Sequence, residues 1–471
     1  MVRIEVDLPP SVTALFEALR LAGGRGWLVG GAVRDALLSC PLEDYDIEVY
    51  GLEANVLRAT LSELGRIDEV GQAFTVLKVT GLRGVAGAVD VALPRRDSKI
   101  GPGHRGIAAV GDPHLPMEVA ARRRDFTANA ILLDPLTGEV ADPCGGCSDL
   151  EARLLRATDP TSFGDDPLRA LRAVQLAARY AFEVHPDTAA LCASMPISEL
   201  PRERIFGEME KLLLKAPRPS LGLGLLQEWG MLSVVAPELM PLAETPQEPD
   251  WHPEGDVWVH TLQVVDVAAG LREGLDGPRA LALMLGALCH DLGKPTTTRF
   301  EDGRIRSRGH EDAGVAPTLT LLDRWDVHTL LGYDVRAQVA ALVAHHLKPG
   351  ELYKVRDQVG DGAIRRLARR VEPDLLARLA RADTLGRRPG LFDTLAMDWF
   401  LEKAKALEVE VRPPAPLLMG RHVLGLGVPP GPAIGELIRA VYERQLDGAV
   451  TDVDGAVAEA RRLLGAPPEP Q

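Results

Sequence analysis

Leu28-Val29-Gly30-Gly31-Ala32-Val33-Arg34-Asp35, followed shortly by Glu43-Asp44-Tyr45-Asp46-Ile47-Glu48-Val49, is the stretch on which the fold turns. It reads as an apolar strand, a glycine pair, the start of a helix and then a second strand. Two glycines let the backbone come close to a ligand, and a helix N-terminus favours phosphate oxygens. Alternate residues of a strand share a face, so Asp44 and Asp46 project together. Two such carboxylates form a hard-oxygen nest suited to Mg²⁺, which takes one or two protein carboxylates plus substrate phosphates. Taken singly, the glycine pair is an ordinary strand-to-helix turn and the carboxylates a wetted strand edge. Outward from this core, short β-type runs (Gly26 to Val29, Asp46 to Val49, Phe74 to Val79, Ala88 to Leu93) alternate with helical pieces up to about residue 150, which predicts an α+β domain.

Gly-Gly-x-Val-Arg-Asp followed by Asp-x-Asp resembles the polymerase-β-type nucleotidyltransferases, in particular the class II tRNA nucleotidyltransferases (CCA-adding enzymes) and bacterial poly(A) polymerases. Three later segments carry the same resemblance. Arg123-Arg124-Asp125-Phe126-Thr127-Ala128-Asn129-Ala130 is similar to the element that contacts the ribose of the incoming nucleotide. Asp165-Asp166-Pro167-Leu168-Arg169-Ala170-Leu171-Arg172 is similar to a helix start whose acid and first arginine read the base edge of CTP or ATP, with Asp165 standing where the family usually has Glu. Arg204 to Lys211 is similar to the neck helix that braces that reader.

The resemblance implies Asp44 and Asp46 as catalytic Mg²⁺ ligands, with Asp90 as a candidate third carboxylate. It implies Gly30, Gly31, Arg34, Arg123, Arg124, Asp125, Asp166, Arg169 and Arg172 as nucleotide-binding residues. Physically, Arg offers a rigid donor fork and Asp accepts only, so the pair Asp166 and Arg169 can mimic a Watson–Crick edge. The implied partners are ATP, CTP and the acceptor end of tRNA, with CCA, the terminal A alone, or poly(A) as product. A reading from another class makes the chain a phosphohydrolase whose head merely binds nucleotide or RNA.

A second constellation lies downstream. Of the eleven histidines, seven fall between His252 and His346, too concentrated for scattered surface residues. His260 lies on one helical stretch, His290-Asp291 ends the apolar run Leu281 to Cys289, and His310, His345-His346 and Asp383 follow. Imidazoles mixed with carboxylates suit Mn²⁺, Fe²⁺, Co²⁺, Ni²⁺ or Mg²⁺ better than a structural zinc, which wants thiolates. The series resembles the HD superfamily of metal-dependent phosphohydrolases. That likeness implies one metal on His260, His290, Asp291 and Asp383, with His310 and His345 or His346 holding a second metal or the phosphate. Arg381 is a rival partner for Asp383. Trp251-His252-Pro253-Glu254-Gly255-Asp256 is similar to the opening of the HD domain fused to some bacterial CCA-adding enzymes.

The rest of the chain bounds these readings. Its 471 residues suit several domains, and 46% hydrophobic with 25% charged residues is globular usage. We expect a nucleotidyltransferase head over 1–150, a helical neck and body over 151–245, an HD domain over 246–400 and a small helical module over 401–471. The fold class is thus α+β, a mixed-sheet head followed by all-α parts. Pro-rich breaks at Leu242 to Pro253 and Arg412 to Pro416 mark the boundaries. A net charge of −14 argues against an indiscriminate nucleic-acid coat. Between Arg83 and Arg124, however, bases outnumber acids, which suits a triphosphate or an RNA 3′ end. Five thinly spread cysteines, no apolar leader and no membrane-length apolar run indicate a cytoplasmic protein with no membrane partner and no visible obligatory protein partner. Cys144-Gly145-Gly146-Cys147 reads as a plain turn, Ile100 to Gly106 as a flexible loop, and Gly465 to Gln471 as a disordered tail.

Overall fold

The computed structural model describes residues 4–42, 44–70, 76–99, 107–387 and 393–465. The expected loop at Ile100 to Gly106 and all but the first residue of the expected tail lie outside them. The chain forms two compact units, one of residues 1–212 with 224–234 and the other of 213–223 with 235–471.

In the first unit the strands are β1 Arg25–Val29, β2 Tyr45–Tyr50, β3 Arg66–Val70, β4 Val76–Thr80, β5 Ala88–Ala92, β6 Arg95–Lys99, β7 Ile107–Gly111, β8 Leu132–Asp134 and β9 Glu139–Ala141. Seven of them form one sheet in the order β3-β4-β5-β2-β1-β8-β9, while β6 and β7 make a separate ribbon. The sheet is mixed: β2 runs parallel to β5 and antiparallel to β1. Trp27 and Val29 alternate onto one face and pack with Leu132. Gly26, on the other face, meets the helix Pro10–Leu21 so closely that a Cβ there would stand 2.9 Å from Phe16 Cδ1. The parallel register sets Asp46 beside Asp90, and β4 sets Lys78 beside Asp90 in turn.

Beyond the sheet, the helix Leu168–Tyr180 starts where the Asp166 carboxylate accepts from Leu168 N, and ends at Ala181 in the left-handed conformation. The strand signal does not stop at Leu150. Leu154–Leu155 pairs in parallel with Glu183–Val184, too short a run to show periodicity.

The second unit is mainly helical. Its central helix, Gly277–Cys289, is buried at every residue from Ala280 onward, which is why that run reads as unbroken apolar sequence. Asp256, Asp276 and Asp334 cap the helices Val257–Leu271, Gly277–Cys289 and Val335–His345, each side chain accepting a backbone N–H of the first turn. Two small hairpins interrupt the expected all-helical pattern. Arg299–Glu301 pairs with Arg304–Arg306 through Asp302-Gly303, both at positive φ, a turn whose Asp-Gly signature was present in the sequence. Thr329–Leu330 pairs with Tyr333–Asp334 through Leu331-Gly332, again at positive φ. Near the C-terminus, Leu418, Val423, Leu437, Val441, Val450, Ala456 and Ala460 make a small core of their own.

The Cys144–Cys147 segment is a turn. Asp142 accepts from Gly146 N (2.7 Å) and Cys147 N (2.9 Å), opening the helix Gly146–Glu151. A Cβ on Gly146 would lie 2.1 Å from Thr127 O, so only glycine lets this helix rest on the short 3₁₀ turn Thr127–Asn129. Gly146→Ala should therefore destabilise the first unit by about 1–3 kcal/mol, the usual cost of forced overpacking. Calorimetric melting of the full chain checks this, and an unmoved transition would contradict the contact.

Candidate active sites

Gly30 opens the helix Gly31–Leu37 with φ +69, and a Cβ there would stand 3.4 Å from both Asp46 Oδ2 and Arg124 Nη1. The glycine therefore serves both the turn and the closeness of β1 to the carboxylate on β2. Around it lies a cleft of about 360 Å³ lined by Gly30, Gly31, Asp46, Arg95, Arg123, Arg124, Asp125, Asn129, Asp166, Arg169, Arg172 and Arg204. Guanidiniums outnumber carboxylates on that lining, the charge balance an anionic ligand needs.

Desolvation in the cleft pushes the Asp46 carboxyl above its ordinary value, Arg124 opposes this, and Asp90 and Asp44 add to it. Crowded carboxylates of this kind fit a divalent cation. Asp44 is exposed and precedes β2 by one residue, outside the cleft lining. Asp90 is held by Lys78 Nζ at 3.0 and 3.1 Å.

Behind the cleft, Glu48 Oε2 accepts from Arg123 Nη2 at 2.9 Å and Arg124 Nη2 at 3.1 Å, while Tyr50 donates to Oε1 at 2.7 Å. Burial alone would raise the Glu48 carboxyl, but Arg124 and Arg123 hold it below the usual carboxylate range. Asp125 accepts from Phe126 N, Asn129 Nδ2 and, at 2.6 Å, Arg172 Nε. It too stays below the usual range despite its burial, with Arg172 the largest opposing influence. Glu48 escaped the sequence reading, although it continues the Asp44–Asp46 alternation by one step.

Asp166 and Arg169, the expected base readers, are supported separately rather than joined. Arg204 places its fork on Asp166, at 3.3 Å to Oδ1 and 3.0 Å to Oδ2. Arg169 donates to Ser162 O at 3.0 Å and Arg123 O at 2.7 Å.

Arg34 is not brought to the cleft. It is buried, donating to Asp35 Oδ1 (2.9 and 2.7 Å), Asn129 Oδ1 (2.8 Å) and Tyr180 OH (2.7 Å), and it stacks on the Tyr180 ring. Its expected place on a triphosphate gives way to this network, because a buried guanidinium must satisfy its donors locally.

In the second unit His260, His290, Asp291, His310, His346 and Asp383 converge. His260 Nε2 lies 3.1 Å from Asp383 Oδ1 and 3.9 Å from Asp291 Oδ2. His290 Nε2 lies 3.2 Å from Asp291 Oδ2, and His310 Nε2 lies 3.3 Å from Asp291 Oδ1 and 3.2 Å from His346 Nε2. Asp291 thus belongs to two possible ligand groups, one with His260 and His290 and one with His310 and His346. His290 Nε2 is buried without a hydrogen-bond partner, as a nitrogen meant for a cation would be.

Three imidazoles are oriented by backbone carbonyls. Nδ1 of His290, His310 and His346 donates to Ala287 O (2.9 Å), Ser307 O (2.7 Å) and Val343 O (2.7 Å), which turns each Nε2 into the cluster. Burial, with His310 and His290 nearby, pushes His346 down to about 3, so it stays neutral as a ligand must. Burial would raise Asp291 and Asp383, yet His290 holds the first and Arg387 the second well below the carboxylate range.

His345 stays out of this cluster. Successive helical residues point about 100° apart, so His345 and His346 cannot face one centre. Arg381 pairs with Asp398, and it is Arg387 that reaches Asp383, at 3.4 Å. Lys294 reaches Asp291 Oδ2 at 2.6 Å, and with Arg387 and His252 it lines a cleft of about 240 Å³ over the centre. Lys294 and Arg387 were not singled out from sequence, although Lys294 follows Asp291 by three residues on one face.

Comparison with known proteins matches three stretches of the chain to known domains. Residues 26–156 match the Poly A polymerase head domain, 181–242 the probable RNA and SrmB-binding site of polymerase A, and 257–388 the HD domain. The multifunctional CCA protein of Xylella fastidiosa (strain M23) is 37% identical over 375 residues, spanning 77% of this chain and 84% of that protein. This chain belongs to the multifunctional CCA protein family. Its relative in Xanthomonas campestris pv. campestris (strain B100) is 38% identical over 371 residues, 77% of this chain and 85% of that one. The fold is shared with the Bacillus stearothermophilus CCA-adding enzyme in complex with CTP (TM-score 0.61, 20% identity, 97% of this chain and 99% of that one). It is also shared with the Thermotoga maritima CCA-adding enzyme complexed with tRNA (TM-score 0.56, 19% identity, 97% and 96%). Among the described residues no helix is long and apolar enough to cross a membrane.

Within this family member, Arg34 should behave as a folding residue. Arg34→Met strips the guanidinium from Asp35 and Asn129, leaving Asp35 with Tyr180 OH and, at 3.8 Å, Arg179, and breaking such a buried pair costs about 3–5 kcal/mol. Denaturant unfolding checks this, and a variant as stable as the wild type would return Arg34 to ligand contact alone.

Proposed function

We propose that the chain is a template-independent RNA nucleotidyltransferase that adds CCA, or its terminal A, to tRNA 3′ ends from CTP and ATP, releasing pyrophosphate. The observation that carries this is the arginine-lined cleft in which Gly30 abuts Asp46, in a member of this family. The head corresponds to 1–150 and the base-reading and RNA-binding neck to 151–245; the HD domain corresponds to 246–400 and the small helical module to 401–471. The reaction takes place in the cytoplasm.

Asp44 and Asp46 would hold Mg²⁺, in a two-metal arrangement that lowers the pKa of the RNA 3′-hydroxyl and neutralises phosphate charge. The chain's own residues do the rest. Gly30 and Gly31 let the triphosphate approach the backbone. Arg123 and Arg124, held as one unit by Glu48, present positive charge that costs no reorganisation when the phosphates arrive. Asp125, locked by Arg172 and Asn129, sits where a ribose hydroxyl can donate to it. Asp166 accepts from the exocyclic amine common to cytosine and adenine, and Arg169 donates to the neighbouring ring acceptor.

The His260–His290–Asp291–Asp383 group, with His310 and His346, is the ligand set of a second, phosphohydrolase site. Its imidazole-rich donors favour Mn²⁺, Ni²⁺, Co²⁺ or Fe²⁺ over Mg²⁺. Held by these residues, a divalent metal would lower the pKa of a bound water toward neutrality, and Lys294 and Arg387 would offer positive charge to a phosphate.

The test is incubation of the full chain with tRNA truncated at its 3′ end and CTP and ATP supplied separately, with products resolved on a sequencing gel. C incorporation identifies CCA addition, A alone identifies A addition, and long A tracts identify a poly(A) polymerase. Asp46→Asn should cut incorporation by more than the roughly 10–100-fold typical of losing an outer-shell metal partner. Asp166→Ala and Arg169→Ala should each cost about 1–3 kcal/mol of discrimination against GTP and UTP; unchanged preference in both would refute a protein-based reader. His290→Ala combined with Asp291→Ala should abolish metal-dependent phosphate hydrolysis and spare nucleotide addition, because the two ligand sets lie in separate compact units. Loss of both activities in a variant with native circular dichroism would contradict that division.

A further inference from the structure

Of the four imidazoles at the HD centre, His260 lacks the carbonyl anchor that orients the other three. It lies in the first turns of the helix Val257–Leu271, fully buried. Glu254 Oε1 lies 2.9 Å from its Nδ1 without an aligned hydrogen bond, while the His260 Nε2 lies 3.1 Å from Asp383 Oδ1. The same oxygen accepts from His252 Nδ1 at 2.9 Å, and the two rings meet edge-on with centroids 4.7 Å apart. Glu254 is sealed, its side chain 3% exposed, and its Oε2 has no hydrogen-bond partner. The turn that carries it is tightly held. Gly255, at φ +132, bends the chain into the helix, and Gln247 Nε2 donates to Asp256 O at 3.1 Å. Gln247 Oε1 in turn accepts from Lys294, which reaches Asp291.

We propose that Glu254 is the positioning residue of the HD centre: when a divalent cation binds with His290, Asp291 and Asp383, Glu254 accepts a hydrogen bond from His260 Nδ1–H, which leaves the His260 Nε2 lone pair to that cation. A carboxylate behind a ligating histidine fixes the tautomer and ring angle and raises the basicity of the ligand. Glu254 also tethers His252 at the mouth of the same cleft. The inference rests on the metal-centre reading above. Its rival is that His252, Glu254 and His260 Nδ1, whose donor atoms lie within 4.8 Å of one another, are themselves ligands of a further ion. Binding there would turn the His260 Nε2 proton toward Asp383 and remove His260 from the HD set.

The test uses the full chain stripped with chelator and titrated with Co²⁺, following visible absorption and equilibrium dialysis, with thermal melting of the metal-free proteins as the control for folding. Glu254→Gln keeps the shape and removes the charge. It should melt like the wild type, bind Co²⁺ about 10–100-fold more weakly, and shift the visible bands. Glu254→Asp, with the charge on a shorter stem, should recover part of that affinity. Wild-type affinity and spectrum in a folded Glu254→Gln protein would overturn the inference. So would loss of one whole Co²⁺ equivalent with the remaining affinity unchanged, which makes Glu254 a ligand. A wild-type chain that binds no Co²⁺ would overturn the metal centre itself, a failure seen before any variant is made.

Discussion

A carboxylate sealed from water must be met by positive charge or by donors, and Glu48 sets that condition for the head. Its two oxygens collect Arg123, Arg124 and Tyr50. Without it, two adjacent guanidiniums beside Asp46 would repel each other and scatter into solvent. With it, they form a fixed wall whose outward faces remain positive. The neighbouring network follows the same rule. Asp125 is satisfied by Arg172 and Asn129, Asn129 by Arg34, and Arg34 by Asp35 and Tyr180. One chain of charge pairing thus links the RRDFTANA segment, the helix after the glycine pair and the helix Leu168–Tyr180. In a low-dielectric interior each member depends on its partners, so the cleft is organised before any ligand enters.

The HD centre answers the same constraint with different chemistry. Asp291 and Asp383 are buried among imidazoles, with Lys294 and Arg387 at the edge. Imidazole can carry a proton or offer a lone pair, so this set can stand charge-balanced without a cation and exchange that balance for one. The guanidinium wall of the head cannot do so, because arginine does not deprotonate. The first site therefore suits an anionic substrate, and the second suits a resident cation.

Much of this was legible along the chain. The four β runs follow from the alternation each strand must obey locally, and the apolar run Leu281 to Cys289 marked the central helix. The two hairpins of the second unit were missed because a two- or three-residue strand is too short to show alternation, although Asp302-Gly303 signalled one of them. Side-chain partners were harder to read. Asp166 and Arg169 stood out as one donor–acceptor set, but nothing in their spacing showed that Asp166 is met by Arg204 from a distant helix. Asp383 likewise takes Arg387 rather than Arg381, because position on the helix face outweighs nearness in sequence.

By itself, then, the sequence determined which residue types are available and which face each occupies: a carboxylate pair after a glycine turn, and histidines at helix ends. Only the tertiary structure decided what each side chain meets. It turned Arg34 inward, chose His346 over His345, and brought Glu48 and Glu254 behind the residues that the motifs had marked. The reason is physical. Facing along an element is set by backbone geometry within a few residues, whereas the partner of a buried charge comes from elements far apart in the chain and is chosen by desolvation, which sequence spacing does not record.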